Sequence, residues 1–225
     1  MTNKGTITIL FRAILAFLSF TFEKKKIMLF LFYVELLLDL VFALDGSESL
    51  AKKGFEKIKD LVKAMIDEYK ISETETHVGV VEFSDKTKVV LPLNRLFDAG
   101  LVKNEVQRIV PSGGKGTVTD EALRKSAEEV FAVKSGGRPG SSKVLIIVTD
   151  GKSTGKESTK QAVKPLEEKG VRVYVVNIGE DTDKDELKDI VPTEKNIYLV
   201  KTPNEVPSVI PKLVDDVKND IKKRE

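Results

Sequence analysis

Apolar positions along this chain follow two rhythms that alternate over most of its length. Short runs rich in β-branched residues read as strands, and longer stretches with apolar side chains three and four apart read as helices. The first run is Leu40–Leu44, inside Asp39-Leu40-Val41-Phe42-Ala43-Leu44. Leu50–Tyr69 follows as a helix, with Phe55, Ile58, Leu61, Val62, Met65 and Ile66 on one face and lysines and acids on the other. His77–Phe83 and Lys88–Leu91 read as strands joined by the turn Ser84-Asp85-Lys86, and Pro92 closes the second. So short a connection makes them an antiparallel hairpin. Asp98–Val110 and Thr119–Val133 are helices, and Ser135-Gly136-Gly137-Arg138-Pro139-Gly140 reads as a flexible surface loop. Lys143–Thr149 is a central strand. Lys156–Lys169 is a helix that Pro165 should kink or shorten. Val171–Ile178 (strand), Asp183–Ile190 (short helix) and Ile197–Val200 (strand) come next. Glu205–Lys222 closes the chain as a helix, begun irregularly by Pro207 and Pro211.

Strands alternating with helices predict an α/β fold. The expected form is a Rossmann-like, doubly wound, mostly parallel sheet with one antiparallel edge strand and helices on both faces. At 225 residues the chain can bury one such core. No internal repeat is present.

Residues 1–37 break the rhythm. Ile7–Phe22 and Ile27–Val34 are apolar runs separated by Glu23 and three lysines, and six of the 11 phenylalanines precede residue 33. Neither run reaches the ~20 uninterrupted apolar residues that a spanning helix prefers. The segment reads as a signal peptide or anchor, as an extension foreign to the native protein, or as an apolar helix packed on the domain. Cleavage after Val41-Phe42-Ala43 would remove the first core strand and is rejected. The expected division is 1–37 as this apolar segment, 38–222 as the folded domain and 223–225 as a charged tail. Any membrane contact would run through residues 1–37.

Composition narrows the chemistry. Hydrophobic residues make up 41% and charged residues 32%, an ordinary globular profile. A net charge of +2 gives no argument for nucleic acid. There is no cysteine, which removes disulfides, thiolate metal sites and cysteine nucleophiles, and His77 is the one histidine. A multi-histidine zinc site and a serine–histidine triad therefore have little to draw on. His77, beside the alternation of Val78 and Val80, reads as a strand-edge residue. Gly151-Lys152-Ser153-Thr154 ends like a phosphate-binding loop, but Ile146 stands where that motif needs its first glycine, so nucleotide binding is rejected.

The remaining chemistry lies in three loops. Asp45-Gly46-Ser47-Glu48-Ser49 follows the first strand and precedes a helix, the usual ligand position in a parallel α/β sheet. It offers one carboxylate and two hydroxyls at alternating positions, hard oxygen donors suited to Mg²⁺, Mn²⁺ or Ca²⁺ rather than zinc. One such loop is too little for a six-coordinate ion. Thr149-Asp150-Gly151 ends the central strand with another carboxylate. Gly113-Gly114-Lys115-Gly116-Thr117-Val118-Thr119-Asp120 is a glycine-rich loop with hydroxyls. Taken singly, each loop is also what helix caps and polar strand ends look like.

Together the three loops resemble the von Willebrand factor type A domain, the I domain of integrins, over roughly residues 38–222. The resemblance rests on D-x-S-x-S as Asp45, Ser47 and Ser49, a distant threonine as Thr117, and T-D-G with Asp150. It implies a metal-ion-dependent adhesion site holding Mg²⁺, or Mn²⁺ or Ca²⁺, with some ligands direct and the aspartates partly acting through water. It also implies a coordination position left for an acidic side chain of a protein partner. The setting implied is adhesion or matrix interaction, with collagen or another matrix protein as partner, in a secreted or membrane-anchored protein that is not an enzyme. Gly46 and Gly116 are expected to let backbone approach the ion. Thr119 is expected as a helix cap, Glu48 as a rim residue, and Lys115 and Lys152 as flanking cations that meet an acidic partner. The alternatives are an interaction module with a vestigial metal site, and a metal-dependent phosphoryl-transfer enzyme using the same carboxylates.

Overall fold

The computed structural model describes residues 37–151, 153–155, 158–180, 183–191 and 193–222. The apolar segment 1–36, Lys152 and the tail 223–225 lie outside the described residues. Six strands form one sheet: β1 Leu38–Asp45, β2 Thr76–Phe83, β3 Thr87–Leu91, β4 Ser142–Thr149, β5 Val171–Ile178 and β6 Ile197–Val200. Their order is β3-β2-β1-β4-β5-β6. Every pairing is parallel except β2 with β3, the antiparallel hairpin at one edge. The doubly wound expectation, with its single antiparallel edge strand, is what the chain adopts.

The strands at the middle are apolar on both faces because helices cover both. Along β1, Leu38, Leu40, Phe42 and Leu44 enter one core, and Val41 and Ala43 enter the other. The first core is closed by α1 (Ala51–Asp67), α2 (Ala99–Arg108) and α7 (Val206–Lys222). The second is closed by α3 (Thr119–Lys125), α4 (Thr159–Ala162), α5 (Lys164–Glu168) and α6 (Lys184–Ile190). In α1 the six residues read as its inner face are all at most 1% exposed. Burying side chains of this size contributes about 1.5–3 kcal/mol each.

Four local departures from the expected pattern are present. The helix expected over Lys156–Lys169 is two short helices, with Pro165 in the first turn of the second, where its missing N–H costs nothing. The helix expected over Thr119–Val133 is α-helical only to Lys125 and then widens into a π turn over Ser126–Val130. There Phe131 N donates to Ser126 O at 2.9 Å. The closing helix continues through Pro211 at the cost of one backbone hydrogen bond, and a 3₁₀ turn at Pro203–Glu205 precedes it. The loop 135–140, read as flexible, is tied down by Arg138. Its Nε donates to Asp39 Oδ1 at 2.8 Å, its backbone N to Asp39 Oδ2 at 2.8 Å, and its Nη2 to Leu38 O and Glu75 O, each at 2.8 Å. Ser141 Oγ completes Asp39 at 2.7 Å.

His77 sits opposite Asp39 in β2 and is 6% exposed. Its ring packs on Phe97 with centroids 4.8 Å apart, and Nε2 lies 3.0 Å from Glu73 O. It is a buried packing residue far from the loops that end β1 and β4. The last helix is docked by two tyrosines: Tyr174 OH donates to Asp220 Oδ2 at 3.0 Å and Tyr198 OH to Asp216 Oδ2 at 2.5 Å. Burial and these acids push both phenols well above their usual range.

The Asp39–Arg138 pair is the main polar tie at the amino end of the sheet, with Asp39 fully buried. Removing one partner of such a pair strands a buried charge. Arg138→Ala should lower unfolding free energy by about 3–5 kcal/mol in urea melts. A loss below about 1 kcal/mol would show that the network contributes little.

Candidate metal centre

The chain winds outward from β1 through β2 to β3, then returns to β4 and winds the other way to β6. The direction reverses between β1 and β4, and loops leaving the carboxyl ends of two such strands part to leave a crevice. Leu44 pairs with Val148, so Asp45 and Thr149 end their strands side by side.

Asp45 is fully buried and its carboxylate organises both loops. Oδ1 accepts from Ser47 N at 2.9 Å. Oδ2 accepts from Thr149 Oγ1 at 2.8 Å and from Asp150 N at 3.4 Å. Ser47 Oγ is 3.0 Å from Ser49 Oγ and 3.5 Å from Asp150 Oδ1. Four of the five expected residues thus form one connected cluster. Ser47 is buried, Ser49 exposed and Asp150 half-buried.

Thr117 arrives from the third loop. It is 6% exposed, its N donates to Thr154 Oγ1 at 2.9 Å, and its carbonyl accepts from Thr154 N at 2.9 Å. Its hydroxyl lies 3.7 Å from where a Cβ would stand on Gly151, beside Asp150. It makes no hydrogen bond to Asp45, Ser47 or Ser49. The glycine-rich loop is sewn to the first loop by Glu48 N to Gly114 O and Gly113 N to Gly46 O, both 2.8 Å. Glu48 and Lys115 are exposed on this rim.

Asp150 carries an electrostatic cost. Burial first, and the neighbouring Asp45 carboxylate second, push its carboxyl above the usual range, while the Ser49 and Ser47 hydroxyls pull it back. Among the described residues no lysine or arginine pairs with either aspartate. The donor set is two carboxylates and three hydroxyls, all hard oxygens, and it fits a hard divalent ion. Among the described residues no group of three His, Cys, Asp or Glu side chains could hold a metal, so any ion here relies on hydroxyls.

Two expectations about this site change. The room at Gly46 and Gly116 is taken by protein carboxylates: a Cβ would stand 2.0 Å from Glu82 Oε1 and 2.6 Å from Asp85 Oδ1, respectively. Thr119 caps nothing; it lies inside α3, whose first residue follows an uncapped Val118, and its buried hydroxyl has no hydrogen-bond partner. Sequence reasoning also missed Thr149, Thr154 and Glu82. The first two look like ordinary loop hydroxyls. Glu82 carried a signal, an acid in an otherwise apolar strand end.

An α/β module whose oxygen donors gather at the strand-order reversal is a ligand-binding architecture. The profile of the von Willebrand factor type A domain matches residues 39–212, and the chain belongs to that family. It is similar to matrilin-3 of Gallus gallus, 34% identical over 73% of this chain and 37% of the relative. It is likewise similar to matrilin-1 of Homo sapiens, 34% identical over 68% of this chain and 30% of the relative. The chain thus spans about a third of the length of these relatives. Among solved structures it is similar to proximal thread matrix protein 1 from the mussel byssus, with a TM-score of 0.77 and 27% identity over 80% of this chain and 48% of that one. A further structure of that protein, 26% identical with a TM-score of 0.77, has a zinc-occupied metal-ion-dependent adhesion site.

Because the folded-state pKa of Asp150 is raised, the metal-free folded domain binds more protons than the unfolded chain just above pH 3.8. This contribution therefore lowers stability as pH rises through that window, and the penalty persists above it. Asp150→Asn should raise the metal-free melting temperature at neutral pH, and the gain over wild type should shrink as pH falls toward 3.8. Equal melting of the two proteins across pH in EDTA would refute it.

Proposed function

We propose that this domain binds a divalent cation through Asp45, Ser47, Ser49, Thr117 and Asp150 and uses it to recognise a protein partner. The observation that carries the reading is the cluster at the ends of β1 and β4. There a buried carboxylate, a half-buried one and two bridged hydroxyls gather beside the Thr117 loop. Three of the five donors are neutral, so a bound ion would keep much of its positive charge. What it would supply is Lewis acidity toward one carboxylate of the partner, a Glu or Asp side chain. Mg²⁺ is the first choice, with Mn²⁺ and Ca²⁺ as alternatives. The zinc reported in the mussel protein's site adds zinc to the ions worth testing.

The role is adhesive rather than catalytic, in an extracellular, secreted or anchored protein. The family membership and the mussel matrix protein support a matrix partner, collagen or another. Glu48 and Lys115 on the rim, with Lys152, would then meet groups flanking the partner's acid. Among the described residues no helix is long and apolar enough to cross a membrane. The folded domain would be 38–222, with 1–37 a targeting or anchoring segment and 223–225 a charged tail.

Melting curves in EDTA, Mg²⁺, Mn²⁺, Ca²⁺ and Zn²⁺ test this reading. A cation at 100 times its Kd should stabilise wild type by about 2.7 kcal/mol. Asp45→Ala should fold, as judged by circular dichroism, and show no such rise. Absence of a rise in wild type, with partner binding indifferent to chelator, would make the site vestigial.

A further inference from the structure

β2 supplies none of the proposed ligands, yet its carboxyl end grips both loops that bring them together. Glu82 is 3% exposed, and among the described residues no cation pairs with it. It accepts from Ser112 N at 2.9 Å and from Ser112 Oγ at 2.7 Å, at the entry of the glycine-rich loop. The same oxygen, Oε1, also fills the space over Gly46, between Asp45 and Ser47. Asp85, three residues on, accepts from Gly116 N at 2.5 Å. A Cβ on Gly114 would stand 2.5 Å from Asp85 Oδ2 and one on Gly116 2.6 Å from Asp85 Oδ1, so at these two glycines the carboxylate lies directly over backbone. Backbone bonds finish the attachment: Gly46 N to Phe83 O at 2.7 Å and Val118 N to Ser84 O at 2.9 Å. Thr117 lies between Gly116 and Val118, both held to β2 and its turn.

We propose that Glu82 and Asp85 are a two-carboxylate clamp that sets the position of Thr117 against the Asp45–Ser49 loop and so sets cation affinity. The proposal rests on the cation reading above. Neither residue need touch the ion. Supporting groups behind metal ligands change affinity by about 10–100-fold when removed, because misplaced ligands must be reordered on binding. The residues act by geometry, through hydrogen bonds that an amide oxygen can also accept.

The test compares Glu82→Ala/Asp85→Ala with Glu82→Gln/Asp85→Asn in the full chain. Mn²⁺ affinity is measured by calorimetry, and amide resonances of Gly46, Gly113, Gly114 and Gly116 are recorded in EDTA. The alanine pair should weaken Mn²⁺ at least about tenfold and move those four amides in the metal-free protein. The amide pair should restore affinity to within about threefold and leave the four resonances near wild type. Wild-type affinity in the alanine pair overturns the clamp. So does equal weakness of both pairs with unmoved amides, since charge rather than placement would then be acting. Should wild type bind none of Mn²⁺, Mg²⁺, Ca²⁺ and Zn²⁺, the cation reading itself fails. The metal-free amides then decide whether the clamp places the loops, and unmoved amides in the alanine pair reject it.

Discussion

Parallel pairing of β1 with β4 at the reversal of strand order is the constraint from which the site follows. Once Leu44 lies beside Val148, the residues that end the strands have nowhere else to go, and Asp45 and Asp150 become neighbours. Two carboxylates that close, one buried and one half-buried, repel each other and lose hydration. The rise in the Asp150 pKa is the direct mark of both effects. The chain answers with donors that carry no charge: Ser47 N, Thr149 Oγ1 and Asp150 N all point at Asp45. It places no lysine or arginine of the described residues there. The negative charge is shaped and held, and left for something else to balance.

The opposite end of the same strand is built on the contrary principle. Asp39 opens β1 as Asp45 closes it, and both are fully buried. Asp39 is met by the guanidinium and backbone N of Arg138 and by Ser141, a full complement of donors with a matching charge. The two acids differ in what the neighbouring loop brings: a matching charge at Asp39 and only neutral donors at Asp45. The tyrosine–aspartate contacts of α7 belong with Asp39. Burial works against Asp216 and Asp220, yet the tyrosine hydroxyls and lysines that face them hold both carboxyls low, so these groups are matched.

How much of this could be read from the sequence follows from the range of each interaction. Strands and helices were legible because their signal is local periodicity, and the hairpin because its turn is short. Asp45, Ser47, Ser49 and Asp150 were legible because each lies at a strand end that the apolar runs mark, and the structure brings them together. The anchoring of 135–140 was not legible. Its glycines and proline describe local freedom, while the arginine that removes it finds its partner 99 residues away. The π turn after Lys125 and the unpartnered hydroxyl of Thr119 likewise left no mark in the local pattern. The glycines of the site misled for a related reason: a glycine announces that something comes close, without saying what.

What comes close is carboxylate. Gly46 and Gly116 are each adjacent to a proposed ligand, and each opens toward an acid of β2 or its turn rather than toward the crevice. A side chain at either position would collide with that carboxylate, so the acid or the loop would have to shift. The small residues in this motif leave room for the acids behind the loops, which is where the proposed clamp would act. On this view the motif is incomplete without the strand behind it. Were a cation to bind, the oxygens named in the pattern would define which ion fits, and the acids at the end of β2 would define how well those oxygens are held beforehand.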